Sequence, residues 1–512
     1  MSPQGAIVLV GYMGAGKTTA AAQLAVERGL RVSDLDQLIE ARGGMTIAEI
    51  FARDGEPAFR ALEEEVACEL LARARAGEVV SLGGGAVQSQ RVRAALAEHL
   101  VVWLDVDPAL AWRRAADSER PLARDRAAFD ARHAARTQLY QSVADAVVPA
   151  AARTATVGRL HDAVEQLRRA PAGTRLLWAV SGSAEYPVWI GRGVLAAALW
   201  PLARSAARRF CVTDEHVAPL WLEAAGELDG VIVIAAGEPS KTLDTAQSVW
   251  SELARRGMTR ADHLIALGGG VVGDLAGFCA ATYQRGVAVV QVPTTLAAQV
   301  DSAYGGKTGV DLPEAKNYVG VYHHPAGVLV DPVTLETLPA AELSAGYAEV
   351  IKTALITGGT LWDRIAADLP IDDGVIFDCA RCKLSIVAED ERDEGRRQVL
   401  NLGHTVGHAI ETVTDYRRYR HGEAVALGLL AALSLSGQDE LRAQVGELLS
   451  AHGLPTRAQG LDPAAVAQAT ERDKKRLGAA VPFVLVDAPG DVRPGAEVTR
   501  GQLEAALAEL CA

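Results

Sequence analysis

Six cysteines in 512 residues, scattered along the chain, exclude a disulfide-built scaffold. Only Cys379-Ala-Arg-Cys382 has CxxC spacing, and with no second pair to complete a zinc knuckle it reads as two small residues on a helix in a reducing cytosol. Long apolar runs are missing too: the longest, near Ala424–Ser434, falls short of the ~20 residues a membrane helix needs. The N-terminus runs directly into strand-like Ala6–Val10 without the pattern of a signal peptide or anchor, so a cytoplasmic protein is expected, with no membrane partner. No short-period repeat or low-complexity tract is found. Basic residues are in deficit, 51 Lys and Arg against 64 Asp and Glu. The net charge of -13 argues against nucleic acid as a partner, so an anionic small-molecule substrate must be held by a local basic cluster.

What is present is ordinary for a globular chain, 49% hydrophobic and 22% charged residues, and long enough for two or three domains. Strand-like runs alternate with alanine-rich amphipathic helices from Ala6 to about Leu167, the pattern of a parallel sheet covered by helices. Pro171-Ala-Gly-Thr174 breaks this pattern. The expected organisation is therefore an α/β domain over 1–170, a linker at 171–175, a second α/β segment over 176–340 and a mostly helical segment over 341–512.

Gly11-Tyr-Met-Gly-Ala-Gly16-Lys17-Thr18 matches the GxxxxGK[ST] phosphate loop and sits between the strand Ala6–Val10 and a helix expected to start at Lys17. Amides of Gly14, Ala15, Gly16 and neighbouring Thr19 can wrap phosphate, Lys17 can reach the β/γ oxygens, and the Thr18 hydroxyl can join a magnesium shell. With Asp34-Leu-Asp36, Gly55-Glu-Pro-Ala-Phe-Arg60, Ser81-Leu-Gly83-Gly84-Gly85, Arg120-Pro-Leu122 and Arg136-Thr-Gln-Leu-Tyr140, residues 5–168 resemble shikimate kinase, a P-loop kinase; gluconate kinase is the nearest competitor. The resemblance implies ATP with Mg2+, shikimate on Asp36, Arg60, Gly84, Gly85 and Arg136, and Arg120 meeting ATP from a lid. A carboxylate at Asp36 can accept the proton of the attacking hydroxyl, and two arginines suit a substrate carboxylate. Asp34 reads equally as a helix cap or a residue behind the magnesium.

In the second half, Asn401-Leu-Gly-His404-Thr-Val-Gly-His408-Ala-Ile-Glu411 places two histidines four apart, so on a helix both leave one face, where they can share a cation or a phosphate. Gly268-Gly-Gly-Val-Val-Gly-Asp274 follows the apolar run Leu264–Leu267 as a turn whose amides can approach a dinucleotide pyrophosphate. A metal and a nicotinamide together imply redox chemistry at a carbon bearing oxygen. Lys307 and Lys316 lie in glycine-rich polar segments, suited to a substrate with carboxylate and phosphate.

These runs, with Pro293–Asp301, Ala345–Lys352 and His421-Gly-Glu423, resemble 3-dehydroquinate synthase over roughly 176–510: a Rossmann-like subdomain followed by a mostly helical one. The resemblance implies zinc, or cobalt in its place, on Glu349, His404 and His421. It implies NAD+ on Asp214, Glu238, Lys241, Gly269, Gly270, Val271, Asp274, Thr294, Thr295, Lys307, Lys316, Thr337 and Leu338. Substrate would lie on Arg285, Asp301, Lys307, Lys316, Asn317, Lys352, Lys383, Arg397, Asn401, His408 and Lys474 or Lys475, with Lys474 preferred. Lys17, Asp36 and Arg120 in the first half and Lys307, Lys352, Lys383, Arg397 and His408 in the second are the expected catalytic groups. Glu349 has a plainer alternative, a salt bridge to Lys352; Glu423 and His323-His324 read as structural. Asp311 stands where the family commonly has asparagine. A homodimer through the synthase half stays open.

Together the halves imply a bifunctional enzyme of the route to chorismate, whose C-terminal product is not the N-terminal substrate. The alternatives are a metal-dependent polyol dehydrogenase, a cyclase of another sugar phosphate, or a half retained as a scaffold.

Overall fold

The computed structural model describes residues 4–115, 125–150, 157–201, 207–470 and 482–511. Arg120, Lys474 and Lys475 lie outside them. By compactness the chain divides into a first unit, 1–180 with 185–206, and a second, 181–184 with 207–512.

The first unit is built on strands β1 (Ile7–Val10), β2 (Arg31–Asp34), β3 (Glu78–Ser81), β4 (Leu100–Asp105), β5 (Ala146–Pro149), β6 (Arg175–Val180) and β7 (Glu185–Ile190). They run in the order β2-β3-β1-β4-β5-β6-β7. All neighbours are parallel except β6 and β7, which form an antiparallel hairpin. β1 and β4, buried throughout or nearly so, read as continuous apolar runs because helices cover both faces of a parallel sheet. β6 joins β5 in register Ala146↔Leu176 and Val147↔Leu177, and the Asp145 carbonyl accepts from the Leu176 amide at 2.8 Å.

In the second unit, β8 (Arg209–Asp214), β9 (Gly230–Ile234), β10 (His263–Gly268), β11 (Ala288–Pro293) and β14 (Gly327–Val330) lie in the order β14-β11-β10-β8-β9, all parallel. β12 (Lys307–Leu312) and β13 (Ala315–Tyr322) form a separate antiparallel hairpin that carries Lys307, Lys316 and Asn317. From Ala340 the chain is mainly helical, with helices Ala340–Thr357, Asp373–Glu389, His404–Val413 and His421–Leu435 around the site. One departure from the helical expectation is the hairpin of β15 (Pro482–Ala488) and β16 (Asp491–Glu497). β15 carries alternating Val484 and Val486, and the turn, Pro489-Gly490, uses the positive φ of Gly490 (89°). No helix among the described residues is long and apolar enough to cross a membrane.

Candidate functional sites

In the first unit the glycine loop leaves β1 and enters the helix Lys17–Arg28. Gly14 (φ 82°) and Gly16 (φ 90°) take left-handed backbone, which turns successive amides inward. Lys17 Nζ donates to the carbonyls of Gly11 (2.8 Å) and Tyr12 (3.2 Å), so its charge is parked on the loop it serves. Thr18 Oγ1 donates to Asp34 Oδ2 at 2.8 Å, while Asp34 Oδ1 caps the next helix by accepting from the Asp36 and Gln37 amides. Asp34 is thus both cap and partner of the magnesium-suited hydroxyl.

The glycine turn after β3 is where the remaining groups converge. A β-carbon at Gly83 would stand 2.5 Å from Glu63 Oε1 and 3.1 Å from Asp36 Oδ1; one at Gly85 would fall inside the Arg60 guanidinium; one at Gly84 would lie 3.2 Å from the Met13 amide of the nucleotide loop. Only glycine lets these charged groups share one turn. Arg60 is held by Glu63 (2.6 Å) and Glu56 (3.0 Å). The Gly84 carbonyl accepts from Arg136 Nη1 (3.1 Å) and from the Tyr140 hydroxyl (2.6 Å). Burial pushes the Glu63 carboxyl up, against the pull of Arg60 and with the repulsion of Asp36.

In the second unit the turn after β10 opens the helix Gly270–Thr282, whose N-terminus has no side-chain cap. A β-carbon at Gly269 would lie 2.9 Å from Thr295 Cγ2, so the backbone is free to be approached closely only because the residue is glycine. This turn lines a cavity of about 1000 Å³. Asp214, Glu238, Lys241, Gly269, Gly270, Val271, Asp274, Thr294, Thr295, Lys316, Thr337 and Leu338 line it, as do Asn317, His408 and His421. Lys307, also expected on the dinucleotide, is not among the lining residues and pairs with Asp393 at 2.5 Å. Lys241 Nζ bridges Asp274 (2.6 Å) and Asn317 (2.5 Å); burial opposes its charge, but Asp274 and Glu238 outweigh it and raise its pKa.

Glu349 Oε1 faces Nε2 of His404 at 3.6 Å and Nε2 of His421 at 3.5 Å, and the donor atoms of the three lie within 4.8 Å of one another. His404 Nδ1 is 3.1 Å from the Leu402 carbonyl, and His421 Nδ1 is 3.5 Å from Glu411 Oε1. Each ring can give its Nδ1 proton away from Glu349; burial opposes charge on His421, but Glu349 and Glu411 outweigh it and raise its pKa to about 10, so its Nε2 lone pair is available only once a cation displaces that proton. That donor set, two imidazoles and a carboxylate, fits zinc. Burial, aided by Lys352 and the neighbouring histidines, pushes the His404 pKa well down, which keeps it neutral as a ligand must be; Glu349 is held well below the usual range, since Lys352 and the histidines outweigh its burial. The plainer reading of Glu349 is also realised: Oε2 pairs with Lys352 Nζ at 2.6 Å. His408, whose ring lies 5.4 Å from that of His404, is not part of this triad but belongs to a second group of possible donors with Glu411 and His421.

The shikimate kinase family pattern matches residues 13–167, and the N-terminal and C-terminal patterns of 3-dehydroquinate synthase match 231–345 and 346–476. The 3-dehydroquinate synthase of Halorhodospira halophila is 43% identical over 334 residues, spanning 62% of this chain and 94% of that protein. That of Symbiobacterium thermophilum is 42% identical over 337 residues, 61% of this chain and 94% of its own. The chain belongs to the 3-dehydroquinate synthase family, with a shikimate kinase domain ahead of it. Among solved structures, a 2-epi-5-epi-valiolone synthase from Streptomyces hygroscopicus subsp. jinggangensis, determined with NAD+ and Zn2+ bound, superposes with a TM-score of 0.59 at 27% identity, over 65% of this chain and 99% of that one.

Beside the synthase triad, Asp301 Oδ2 pairs with Lys352 Nζ at 2.5 Å, and its Oδ1 pairs with Lys383, which also donates to the Asp301 carbonyl at 2.7 Å. Buried Arg397 donates to the carbonyls of Gly305 (3.1 Å) and Glu391 (2.6 Å). Burial and the nearby Arg397 push the Lys383 pKa down, with Asp301 opposing. Asn401 ends the short helix Arg396–Asn401 just before the triad's His404. Arg285, in left-handed backbone (φ 65°) after the helix Gly270–Thr282, does not line the cavity of its own synthase unit. Glu423 accepts from the Arg420 amide at 2.7 Å as a capping residue, and His324 pairs with Glu391 at 3.2 Å, so both are structural. Asp311 accepts from the Asn317 amide at 2.8 Å and so anchors the lysine-bearing hairpin.

Sequence reasoning missed Tyr416, whose ring lies 4.4 Å from Lys316 Nζ, and Trp221, which donates to Thr337 Oγ1 at 3.0 Å; both line the cavity, and neither sits in a motif. Glu411 closes the histidine-bearing run and stands three after His408, therefore on the same helix face, a spacing that could have found it.

Proposed function

We propose that the kinase domain transfers a phosphoryl group from magnesium ATP to the 3-hydroxyl of shikimate, and that the synthase converts 3-deoxy-arabino-heptulosonate 7-phosphate to 3-dehydroquinate and phosphate with Zn2+ and catalytic NAD+. What carries the second half is that His421 of the cation triad and the Gly269–Val271 turn line one cavity.

In the kinase, Lys17 would exchange its loop carbonyls for the β/γ oxygens, and Thr18, oriented by Asp34, would join the magnesium shell. Asp36 orients the attacking hydroxyl and accepts its proton, with Glu63 behind it. Arg60 and Arg136 take the substrate carboxylate, Gly84 and Gly85 let the ring lie against the turn, and Arg120 belongs to the ATP side by family resemblance.

In the synthase, Glu349, His404 and His421 would hold the ion, with substrate hydroxyls as its further ligands. When bound, zinc supplies a Lewis acid at a hydroxyl, and NAD+ supplies a hydride acceptor that is restored within the turnover. Lys352, Lys383, Arg397 and Asn401 hold substrate around Asp301, and His408 and Lys307 orient the leaving phosphate. Lys316 and Asn317 join the cofactor wall to the substrate side.

The test is phosphate release from the heptulosonate phosphate by zinc-loaded protein, with and without catalytic NAD+, while absorbance of NADH is followed. Many phosphates per NAD+ with no net NADH supports the reading. Net NADH formation would instead mark a polyol dehydrogenase.

A further inference from the structure

Glu411 is a carboxylate only 2% exposed that belongs to neither the cation triad nor the expected ligand set. It projects from the helix His404–Val413. Its Oε1 stands 3.5 Å from His421 Nδ1 and 3.4 Å from Lys316 Nζ. His421 turns its other nitrogen to Glu349, and Lys316 also reaches Glu238 at 3.3 Å. One oxygen is therefore shared between a cation ligand and a lysine of the dinucleotide wall.

The surroundings hold this arrangement in place. The Glu411 carbonyl accepts from the Tyr416 amide at 2.9 Å. That contact closes a turn in which Asp415 (φ 51°) and Tyr416 (φ 55°) are both left-handed without being glycine, a backbone costing on the order of 1–2 kcal/mol per residue. The strained turn lays the Tyr416 ring over Lys316. Lys316 is thus fixed by an aromatic face and two carboxylates.

We propose that Glu411 is a positioning residue that serves both cofactor sites: it accepts the Nδ1 proton of His421, fixing the tautomer that aims Nε2 at the cation, and it anchors Lys316 in the dinucleotide cavity. A carboxylate behind a ligand histidine raises the basicity of the ring and removes its rotational freedom, and losing such a partner costs metal sites ~10–100-fold in affinity. A competing arrangement exists, since His408, Glu411 and His421 also bring donor atoms within 4.8 Å. It would spend the Nδ1 of His421 and leave His404 Nε2, already freed by the Leu402 carbonyl, facing Glu349 with no ion between them. The inference rests on the reading of Glu349, His404 and His421 as the cation site.

The experiment compares the full chain with Glu411→Ala, Glu411→Gln and Glu349→Gln. Zinc dissociation constants are measured by competition with a chromogenic chelator, the visible spectrum of the Co2+-loaded protein is recorded, and NAD+ affinity is measured on zinc-free protein. Glu411→Ala is expected to weaken zinc by about 10–100-fold, to alter the Co2+ bands and to weaken NAD+ several-fold. Glu411→Gln, which keeps an acceptor of the same shape without the charge, should fall between it and the parent. Glu349→Gln should lose zinc far more completely with little change in NAD+. Parent-like zinc affinity and Co2+ bands in both folded Glu411 variants would overturn the proposal while leaving the triad intact. Zinc retained by Glu349→Gln but lost by Glu411→Gln would make Glu411 a ligand, and would overturn the triad reading as well.

Discussion

Gly422 lies directly against the carbonyl of Ala345, with no space for a β-carbon between them. The contact brings together the helix that carries Glu349 and the one that starts at His421, so the backbone approach of two helices sets the width of the cation triad. Gly422→Ala must push the helices apart. It is expected to destabilise the protein by about 1–3 kcal/mol and to weaken zinc binding by an order of magnitude or more, read by thermal denaturation and chelator competition. Gly501→Ala, in a helix where a β-carbon meets nothing within 4 Å, is the control and should be neutral or slightly stabilising.

The two activities should separate by mutation. Lys17→Ala removes the cation of the nucleotide loop and is expected to abolish shikimate phosphorylation while leaving dehydroquinate formation unchanged. His404→Ala should do the reverse. Both are measured by coupled assays on the same preparations, and loss of both activities in either folded variant would show that the sites are coupled.

Lys352 is a buried cation between Asp301 at 2.5 Å and Glu349 at 2.6 Å. Burial opposes its charge, but the two carboxylates outweigh burial and raise its pKa. Lys352→Met leaves buried Glu349 without its lysine and Asp301 with Lys383 alone, a change expected to cost about 3–5 kcal/mol. The loss should be larger in chelator-treated protein than in zinc-loaded protein, because the ion can neutralise Glu349. Melting temperatures under the two conditions check this, and an equal loss in both would separate the lysine from the cation site.

Asp145, at the foot of β5, has its carboxyl pushed by burial from 3.8 to about 6, even though it accepts the Val101 amide at 2.8 Å. Its folded pKa lies above its unfolded value, so between about pH 4 and 6 the native state holds the extra proton. Stability from this group is therefore present at low pH and is lost as pH rises through about 6. Asp145→Asn is expected to stabilise the first unit at pH 7–8, by up to about 3 kcal/mol, and to flatten this part of the profile; urea titrations at pH 5 and 8 measure it.

Leu176, fully buried on β6, pairs beside Ala146 of β5. Leu176→Ala should open a cavity costing about 2–5 kcal/mol in the first unit. Residual activities after a heating series should show kinase activity failing at a lower temperature than in the parent, with a smaller shift for the synthase.

The nucleotide loop was legible because its requirements are local: glycine at left-handed positions, then lysine and a hydroxyl at a helix start. The dinucleotide turn was legible for the same reason. The cation site was less so, since the spacing of His404 and His408 finds a shared face, but which histidines converge depends on where each Nδ1 proton goes. Leu402 and Glu411 bear on that; both stand inside the histidine-bearing run, but spacing alone does not say which proton each accepts. Tyr416 was invisible because its place over Lys316 follows from two left-handed residues that no composition rule demands. The hairpin of β15 and β16 did carry signals, the alternating Val484 and Val486 and a Pro-Gly turn, which the surrounding helical pattern obscured.

The kinase family pattern ends at residue 167 and the synthase pattern begins at 231, and β6 and β7 fall in the stretch that neither reads. Yet β6 covers the outer edge of β5, where unpaired amides and carbonyls would otherwise invite strand addition from another molecule. Compactness thus groups with the first unit two strands that the synthase resemblance, over roughly 176–510, also claims. Where two enzymes have become one polypeptide, the inherited border and the physical border need not coincide.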